Sequence, residues 1–421
     1  MRNTLRIPGL VFSTSVSSPA TLNPAVALLE ADLLAGYYTT FGLRGGGGIL
    51  KLFDVIDSVT GAGFGRQLRR RAVEGLPDNR VHTYPWLDIL RTGLSRMGYP
   101  NESLAKLQWA ILAALDRRVS RKVGDHLGVY AFWGAAEQSF RAAKRAGGLC
   151  IYNLGGLDIG FMNEVRERER AAFPETKDLY PGLGATMEAV DKQAREWSLA
   201  DLIIVNSQAA LESHRGRGLD MSKARAVPLG FPLACAEDRL TRPPGPLRVL
   251  WAGNFSMMKG AHHFSRALRL MAGTPAMEVR IFGKQLLPDT YLADLPARVD
   301  IHPTVPRSTL MEKYGQADLL VLPTLSDGFG MVVSEAMSQG CAVITTERAG
   351  VSQFIEHGRN GLIVPAGDAD ALAAALEWCA ANREALAEMG AEGRRTAMTW
   401  QWSDYRAALA ATVKEALDAV H

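Results

Sequence analysis

Residues 326–340 read SDGFGMVVSEAMSQG, a stretch that brings two carboxylates, glycines and a helix start close together. The run from Asp318 to Pro323 before it is short, apolar and closed by a proline, which predicts a buried parallel strand. Gly328 and Gly330 let the backbone approach a ligand closely, and the free amides from Gly330 to Val332 favour an anion such as a diphosphate. The stretch therefore predicts a strand, a phosphate-binding loop and a helix, in that order.

The two carboxylates of this stretch are Asp327 in the loop and Glu335 in the helix. Helical side chains lean toward the helix N-terminus, so Glu335 can bring its carboxylate near the free amides and accept hydrogen bonds from ribose hydroxyls. Asp327 faces the same pocket from the loop. Two alternatives stay open: Asp327 as a turn or capping residue, and Glu335 as a solvated helix carboxylate.

A second segment of the same kind lies upstream, where residues 246–260 read PLRVLWAGNFSMMKG. Its strand ends at Gly253, and Lys259 and Gly260 open a helix. A lysine at that position can reach a diphosphate, although it can also be an ordinary surface lysine.

Three further predicted strands end in loops of the same half of the chain. Met277 to Phe282 leads to Gly283, Val299 to His302 leads to a Pro-Thr-Val-Pro loop, and Cys341 to Thr346 leads to a loop that ends at Gly350. Short apolar runs that alternate with helical patterns predict a parallel sheet with right-handed crossovers. All five loops then share the carboxyl edge of one sheet, where such sheets bind ligands.

These segments resemble the retaining glycosyltransferases of family four, the glycosyl transferases group 1, whose signature is a glutamate, seven residues and a second glutamate. Glu335 matches the second glutamate, and Asp327 stands in the place of the first. The resemblance implies an α/β chain with the GT-B fold: two Rossmann-like parallel-sheet domains that face each other across a cleft, and a C-terminal helix that crosses back to the N-terminal domain.

The resemblance also implies a role for each matching residue. Asp327 would lie beside the transferred sugar, Glu335 would bind the nucleotide ribose, Lys259 would face the diphosphate, and backbone around Thr304 to Pro306 would hold the base. Asp327, Lys259 and Asp158 are the predicted catalytic residues. The predicted donor-binding set is Gly253, Asn254, Lys259, Gly283, Lys284, Thr304, Val305, Gly328, Phe329, Gly330, Met331, Val332 and Glu335.

The sequence departs from the family pattern at three places. The first acidic residue is the shorter Asp327, the loop of Lys259 has Asn254 and Met258 where an arginine is common, and Asp158 follows a strand where relatives carry a histidine. No metal ion and no cofactor other than the nucleotide sugar is expected.

The clearest interruption of the apolar rhythm is residues 236–246, AEDRLTRPPGP. It predicts an N-terminal acceptor-binding domain at 1–240 and a C-terminal nucleotide-sugar-binding domain at 245–399. Tyr405, Leu409, Val413 and Leu417 form one stripe of a final helix, residues 400–421, which the resemblance assigns to the N-terminal domain.

The N-terminal half carries fewer signals. Gly9 to Ser13 and Ala35 to Thr40 predict strands with a helix from Pro24 to Leu34 between them. Residues 164–170, EVRERER, alternate in charge at helical spacing and predict a solvated helix face.

Composition limits where the protein acts. The chain has 421 residues and a formal net charge of +3, and it contains no long apolar run of the kind that spans a membrane. Its four cysteines lack metal or redox spacing, which favours reduced thiols and a cytoplasmic location. Basic clusters at 66–71 and 117–122 can rest on an anionic membrane surface or meet a pyrophosphate-linked lipid, or they are an ordinary basic surface. Nucleic-acid binding is disfavoured because no known module appears.

The sequence thus predicts a cytoplasmic enzyme, either free or peripheral at the inner face of the membrane, that moves a sugar from a nucleotide-diphosphate sugar to a hydroxyl with retained anomeric configuration. The acceptor would be a carbohydrate or a lipid-linked molecule, in the synthesis of a polysaccharide, glycolipid or related glycoconjugate. Two alternatives stay open: a non-catalytic partner that keeps a nucleotide-sugar pocket, and another GT-B enzyme such as an inverting transferase or an epimerase.

Overall fold

The computed structural model describes residues 7–40, 73, 75–176, 186–236, 245–271, 277–293 and 295–420. Within these ranges the chain forms two parallel β-sheets, one in each half, with helices between the strands. The predicted α/β architecture of two parallel-sheet units is confirmed.

The N-terminal sheet has seven parallel strands in the order β3-β2-β1-β4-β5-β6-β7. Its inner strands are buried on both faces and rich in branched and aromatic residues, as helix-covered parallel strands must be. The strands are β1 (Ile7–Thr14), β2 (Leu34–Thr39), β3 (Val81–Thr83), β4 (His126–Phe132), β5 (Leu149–Leu154), β6 (Leu202–Val205) and β7 (Ala224–Ala226).

Seven α-helices of the described residues accompany this sheet. They are α1 (Pro19–Glu30), α2 (Trp86–Arg96), α3 (Asn101–Ser120), α4 (Glu137–Arg145), α5 (Ile159–Ala172), α6 (Met187–Leu199) and α7 (Gln208–His214). The predicted bounds of the first helix were wrong. It begins at Pro19 because Ser18 supplies a capping box with Thr21 and a proline fits the first helical turn.

The C-terminal sheet has six parallel strands in the order β10-β9-β8-β11-β12-β13. The strands are β8 (Leu247–Ala252), β9 (Met277–Phe282), β10 (Arg298–His302), β11 (Leu319–Leu322), β12 (Ala342–Thr346) and β13 (Leu362–Val364). The helices are α8 (Ala261–Leu270), α9 (Arg307–Gln316), α10 (Met331–Ser338), α11 (Ala369–Ala381) and α12 (Arg383–Thr399). Among the helices of the described ranges, none is both long and apolar enough to cross a lipid bilayer.

The last helix, α13 (Trp402–Asp418), returns to the N-terminal half, as predicted. Its stripe of Tyr405, Leu409, Val413 and Leu417 is buried, and the helix packs against α1. Arg406 on its outer side donates to Glu30 at 2.9 Å and to Asn23 at 3.1 Å. The final segment is therefore part of the N-terminal core.

The chain crosses between the halves twice, and the two crossing segments are bonded to each other. The Phe231 N–H donates to the Trp400 carbonyl at 2.9 Å, and the Trp400 indole N–H donates to the Pro228 carbonyl at 2.9 Å. Gly230 lies so close to Trp402 that a Cβ there would be 2.5 Å from its backbone. The predicted boundary at 236–246 lies mostly outside the described residues, so the domain limits stay predictions.

All four cysteines are free, and three of them, Cys150, Cys341 and Cys379, are buried. Burial raises the pKa of the Cys150 and Cys379 thiols to about 12, which keeps both protonated. The predicted reduced core thiols are confirmed for these residues.

Candidate functional site

The loops after β8, β9 and β10 lie side by side at one edge of the C-terminal sheet. The Gly253 N–H donates to the Phe282 carbonyl at 2.9 Å, and the Gly283 N–H donates to the His302 carbonyl at 3.1 Å. A Cβ on Gly283 would be 2.1 Å from the Gly253 carbonyl oxygen, so only glycine allows this approach. Asn254 and Lys284 are exposed at the same edge. The prediction that these loops share an edge is confirmed.

The loop after β11 is bonded to the short 3-10 turn Met257–Lys259. The Thr324 hydroxyl and the Leu325 N–H both donate to the Met258 carbonyl, at 3.1 and 3.0 Å. These bonds bring Lys259 next to Asp327, although the two residues are far apart in the sequence.

The Asp327 carboxylate lies where a cation and a helix start converge. Its Oδ2 forms an ion pair with Lys259, and its Oδ1 accepts the Gly330 N–H at 2.8 Å and the Phe329 N–H at 3.2 Å. Gly330 has φ +84° and begins α10, while the next amides, of Met331 and Val332, meet no acceptor within the described part of the chain. A negatively charged group is thus held by Lys259 and backbone amides at this point, and the carboxylate also acts as a turn and capping group.

Glu335 lies on α10 and is only 5% exposed, so the alternative of a solvated helix carboxylate is wrong. Its Oε1 accepts from the Arg307 Nε at 2.6 Å and its Oε2 accepts from the Tyr314 hydroxyl at 3.2 Å. Arg307 begins α9 directly after the predicted base loop, in which Thr304 is exposed and Val305 half-buried. The predicted ribose carboxylate and the predicted base loop are therefore neighbours.

A loop of the N-terminal half closes one side of this site. A Cβ on Gly328 would be 1.9 Å from the Gly155 carbonyl oxygen, so the backbones of the two halves touch there. The Ser207 hydroxyl donates to the Gly328 carbonyl at 2.8 Å, and the Asn206 amide donates to the Gly155 carbonyl at 3.1 Å. The loop that leads to Asp158 is thus held against the loop of Asp327.

Asp158 is the N-cap residue of α5. Its Oδ1 accepts the Phe161 N–H at 2.8 Å, and His214 Nδ1 and Arg217 Nε each lie 3.4 Å from the carboxylate. Burial raises the pKa of this carboxyl, but His214, the Phe161 amide and Arg217 outweigh burial and hold the pKa below its ordinary value. The carboxylate is ionised and fixes the start of α5, and its predicted catalytic role stays a prediction.

Some residues near the site gave no usable signal in the sequence. Arg307 pairs with Glu335 through a tertiary contact that no spacing rule reveals. The predicted solvated face of residues 164–170 is wrong for Arg166 and Glu169, which are 8% and 5% exposed. Glu169 contacts His262 and His263 of α8, because α5 is covered by the C-terminal half on that side.

Comparison with known proteins agrees with this geometry. Residues 236–396 match the sequence model of the glycosyl transferases group 1. The chain is 30% identical over 205 residues to the D-inositol 3-phosphate glycosyltransferase of Thermobispora bispora, which covers 45% of this chain and 48% of that protein. It is 27% identical over 348 residues to the enzyme of the same name from Paenarthrobacter aurescens, covering 76% and 81% of the two chains. The chain spans about half the length of most of these curated relatives.

Solved structures match over almost the whole chain. HepE from Anabaena in complex with UDP and glucose has a TM-score of 0.62 at 18% identity, covering 97% of this chain and all of that one (100%). Sucrose-phosphate synthase from Thermosynechococcus elongatus has a TM-score of 0.68 at 16% identity, covering 98% and 100%. The two facing parallel-sheet units and the returning helix define the GT-B fold. Residues 236–396 are similar in sequence to the glycosyl transferases group 1, the family that the stretch 326–340 indicated.

Proposed function

We propose that the protein transfers a sugar from a nucleoside diphosphate sugar to a hydroxyl group with retention of anomeric configuration. The observation that carries the proposal is the convergence of Lys259, the Gly330 amide and the start of α10 on one negatively charged group. A diphosphate offers more negative charge than one carboxylate, so it competes with Asp327 for Lys259 and can accept from the free amides of Met331 and Val332.

Donor binding would break the ion pair between Asp327 and Lys259. Lys259 turns to the diphosphate, and the freed carboxylate oxygen accepts hydrogen bonds from sugar hydroxyls at the adjacent position. Glu335 accepts from the ribose hydroxyls, which requires Arg307 to give up part of its hold on that carboxylate. Arg307 is 45% exposed on its side chain, so its own charge stays solvated when it turns away, and the ribose hydroxyls take its place at the buried Glu335 carboxylate.

The reaction breaks the bond between the anomeric carbon and the diphosphate oxygen and forms a bond to the acceptor oxygen. Negative charge develops on the departing diphosphate, where Lys259 and the backbone amides lie. The acceptor attacks from the face that the leaving group vacates, and a diphosphate oxygen takes the acceptor proton, so configuration is retained without a protein nucleophile. This scheme assigns no step to a metal ion. The close contact of Gly155 with Gly328 would help to exclude water from the reacting sugar.

The relatives support a sugar nucleotide as donor. HepE has been solved with UDP and glucose bound, and the curated relatives are named D-inositol 3-phosphate glycosyltransferase. We propose a carbohydrate or lipid-linked acceptor for this chain, in polysaccharide or glycolipid synthesis at the cytoplasmic face of a membrane. The basic cluster at 66–71 lies outside the described residues, and Arg118 of the other cluster is placed over the Tyr84 ring, 4.7 Å from its centroid.

Donor binding can be tested first, because it identifies the preferred base and sugar of the donor without knowledge of the acceptor. The melting temperature is measured with UDP-, GDP- and ADP-sugars, and the preferred donor at 100 times its dissociation constant should stabilise the fold by about 2.7 kcal/mol. Lys259→Ala should abolish the shift, and Lys313→Ala, which removes an ammonium that donates to Gln316 of its own helix, should leave it intact. Equal shifts in wild type and Lys259→Ala would contradict the site.

Turnover and product configuration test the second step. Donor is incubated with candidate acceptors, and NMR of the product reports whether the anomeric configuration of the donor is kept. An inverted product would identify an inverting transferase, and an altered free nucleotide sugar would identify an epimerase. Binding without turnover for any acceptor would favour a non-catalytic partner, a possibility raised by Asp327 in place of the usual glutamate.

A further inference from the structure

Glu169 of α5 and the paired residues His262 and His263 of α8 form a cluster between the two halves of the molecule. His262 Nε2 lies 3.0 Å and His263 Nε2 lies 2.9 Å from the same carboxylate oxygen, Glu169 Oε2. All three residues are buried, with exposures of 1%, 6% and 5% for His262, His263 and Glu169. The donor site described above does not use these side chains, so the cluster needs its own explanation.

The geometry of the cluster fits a single metal ion. The three potential ligand atoms lie within 4.8 Å of one another, and each residue offers one of them. Ligands about 2.0–2.1 Å from a tetrahedral zinc ion are about 3.3 Å apart, so small rotations of these side chains produce a coordination site. Two imidazole nitrogens and one carboxylate oxygen are a ligand set that zinc and related first-row divalent ions accept.

The protonation states also suit coordination. Burial lowers the pKa of His262, which favours the neutral ring that a metal ion needs. Burial raises the pKa of the Glu169 carboxyl, but its bonds to His262 and His263 outweigh burial and lower the pKa to about 2. Coordination would displace the protons by which both Nε2 atoms now face Glu169 Oε2.

The surroundings fix the histidine rings by packing. The Phe173 ring contacts the edges of both imidazoles, with ring centroids 4.6 and 5.4 Å away and nearly perpendicular planes. Nδ1 of each histidine is buried and has no hydrogen-bond partner in the described ranges, so no second carboxylate orients these rings. Hydrogen-bond partners on the second ring nitrogen raise the metal affinity of a histidine site by about 10- to 100-fold. A site without such partners should therefore bind its ion less tightly.

We propose that Glu169, His262 and His263 bind one divalent cation of the zinc type and so fasten α5 of the N-terminal half to α8 of the C-terminal half. The cation is structural, because its three ligands are buried between α5 and α8 and, among the described residues, none of them forms a hydrogen bond to Lys259, Asp327 or Glu335. Bound metal holds together the helix that begins at Asp158 and the helix that begins after Lys259. The fastening therefore stabilises the arrangement in which the two halves meet beside the donor site.

The test uses tag-free, full-length protein stripped of metal with EDTA. Zn²⁺ is titrated alone, with stoichiometry measured by elemental analysis and affinity by calorimetry, and Co²⁺ is added as a spectroscopic substitute. We expect one ion per chain, a rise in melting temperature that EDTA reverses, and visible Co²⁺ absorption bands of a low-coordinate site. Mg²⁺, which prefers oxygen ligands, should produce none of these effects.

Variants that remove one ligand each provide the decisive comparison. Glu169→Gln, His262→Gln and His263→Gln should each lower Zn²⁺ affinity by at least about 10- to 100-fold and abolish the Co²⁺ bands. Glu167→Gln on the same helix and His357→Gln on an exposed loop serve as matched controls. Both control variants should keep the wild-type Zn²⁺ affinity and the Co²⁺ bands. Circular dichroism identifies any variant that fails to fold, and the remaining variants and the wild-type titration then decide.

Two results would overturn the proposal. If the wild-type protein takes up no ion, the three residues are only a hydrogen-bonded cluster between α5 and α8. Uptake that is unchanged in Glu169→Gln and His263→Gln places the ion elsewhere. Neither result bears on donor binding, because the donor is held by Lys259 and α10.

Discussion

Glu196 in the N-terminal half and Glu335 in the C-terminal half are both buried carboxylates with a cation and a tyrosine nearby, but Glu196 is also held by backbone N–H groups. Glu196 accepts the backbone N–H groups of Gly134 and Ala136, at 2.8 and 3.1 Å, and the hydroxyl of Tyr152 at 2.8 Å, and the Lys192 ammonium lies 3.4 Å from it. Glu335 is held by Arg307, and Asp327 by Lys259, through side chains that are 45% and 34% exposed.

The difference shows which buried carboxylates can serve a ligand. A backbone amide in a packed loop cannot leave its acceptor without unfolding the loop, so Glu196 is a permanent part of the fold. A lysine or arginine with water access can turn from a carboxylate to a phosphate at little cost. Exchangeable partners, and not burial alone, therefore mark the binding site.

The largest expected effect comes from Lys259→Ala. Loss of this cation removes stabilisation of the departing diphosphate, so kcat/KM should fall on the order of 100- to 1000-fold. The free energy of unfolding should change by less than about 1 kcal/mol, since the Lys259–Asp327 pair is partly exposed. Steady-state kinetics and urea unfolding measure the two quantities, with Lys313→Ala as control. A large loss of stability without a kinetic effect would place Lys259 among the structural residues.

Glu196→Gln should produce the opposite pattern. The amide has one acceptor oxygen for several donors, so about 1–3 kcal/mol of the free energy of unfolding should be lost. Below its lowered melting temperature the variant should keep the wild-type kcat/KM. Urea unfolding monitored by circular dichroism and a donor assay at low temperature make the comparison. A Glu196→Gln variant that is stable but inactive would show that Glu196, like Glu335, serves the ligand.

Glu335→Gln should affect donor binding more than chemistry. One charge-assisted bond to the ribose is weakened, so KM for the donor should rise about 10-fold, which corresponds to about 1.4 kcal/mol. The value of kcat should stay close to wild type, because the ribose is bound equally in the ground and transition states. Kinetics over a range of donor concentrations measure both, and a fall in kcat alone would argue against a ribose contact.

Asp158→Asn should have the smallest effect. Asparagine also caps helices well, so the start of α5 is kept and the free energy of unfolding should fall by less than about 1 kcal/mol at pH 7. Because the folded-state pKa of Asp158 is lowered, its stabilising contribution is present above about pH 4 and is lost as the pH falls below that value. The difference between wild type and variant should therefore shrink on acidification. If the catalytic efficiency instead fell by two orders of magnitude, on the scale of a lost general acid or base, Asp158 would be a catalytic residue.

The C-terminal half was largely predictable because its ligand contacts come from short, local patterns. Strands β8, β9, β11 and β13 are mostly apolar and are followed directly by glycine or proline, and the amide of Gly330 and the carboxylate of Glu335 lie within one loop and helix. The convergence of Lys259 with Asp327 followed from the rule that parallel strands share a carboxyl edge.

The remaining features depend on contacts between distant segments. Nothing in the local sequence shows that Arg307 reaches Glu335, or that Glu169 meets His262 across the two halves. The charge alternation at 164–170 indicated a solvated face because the pattern describes one helix alone, whereas burial depends on what packs against it. The first helix began earlier than predicted since the cap at Ser18 is a weaker signal than the apolar spacing.

The double crossing between the halves restricts how the cleft can open. A single linker would permit twisting and sliding, but the segments around Phe231 and Trp400 are bonded to each other and cross together. Two joined connections leave rotation about the line between them as the easy motion. Substrate entry would then be a swing of one rigid body with a defined axis, and substitutions at Gly230, where no side chain fits against Trp402, would alter its angle and speed without touching any ligand.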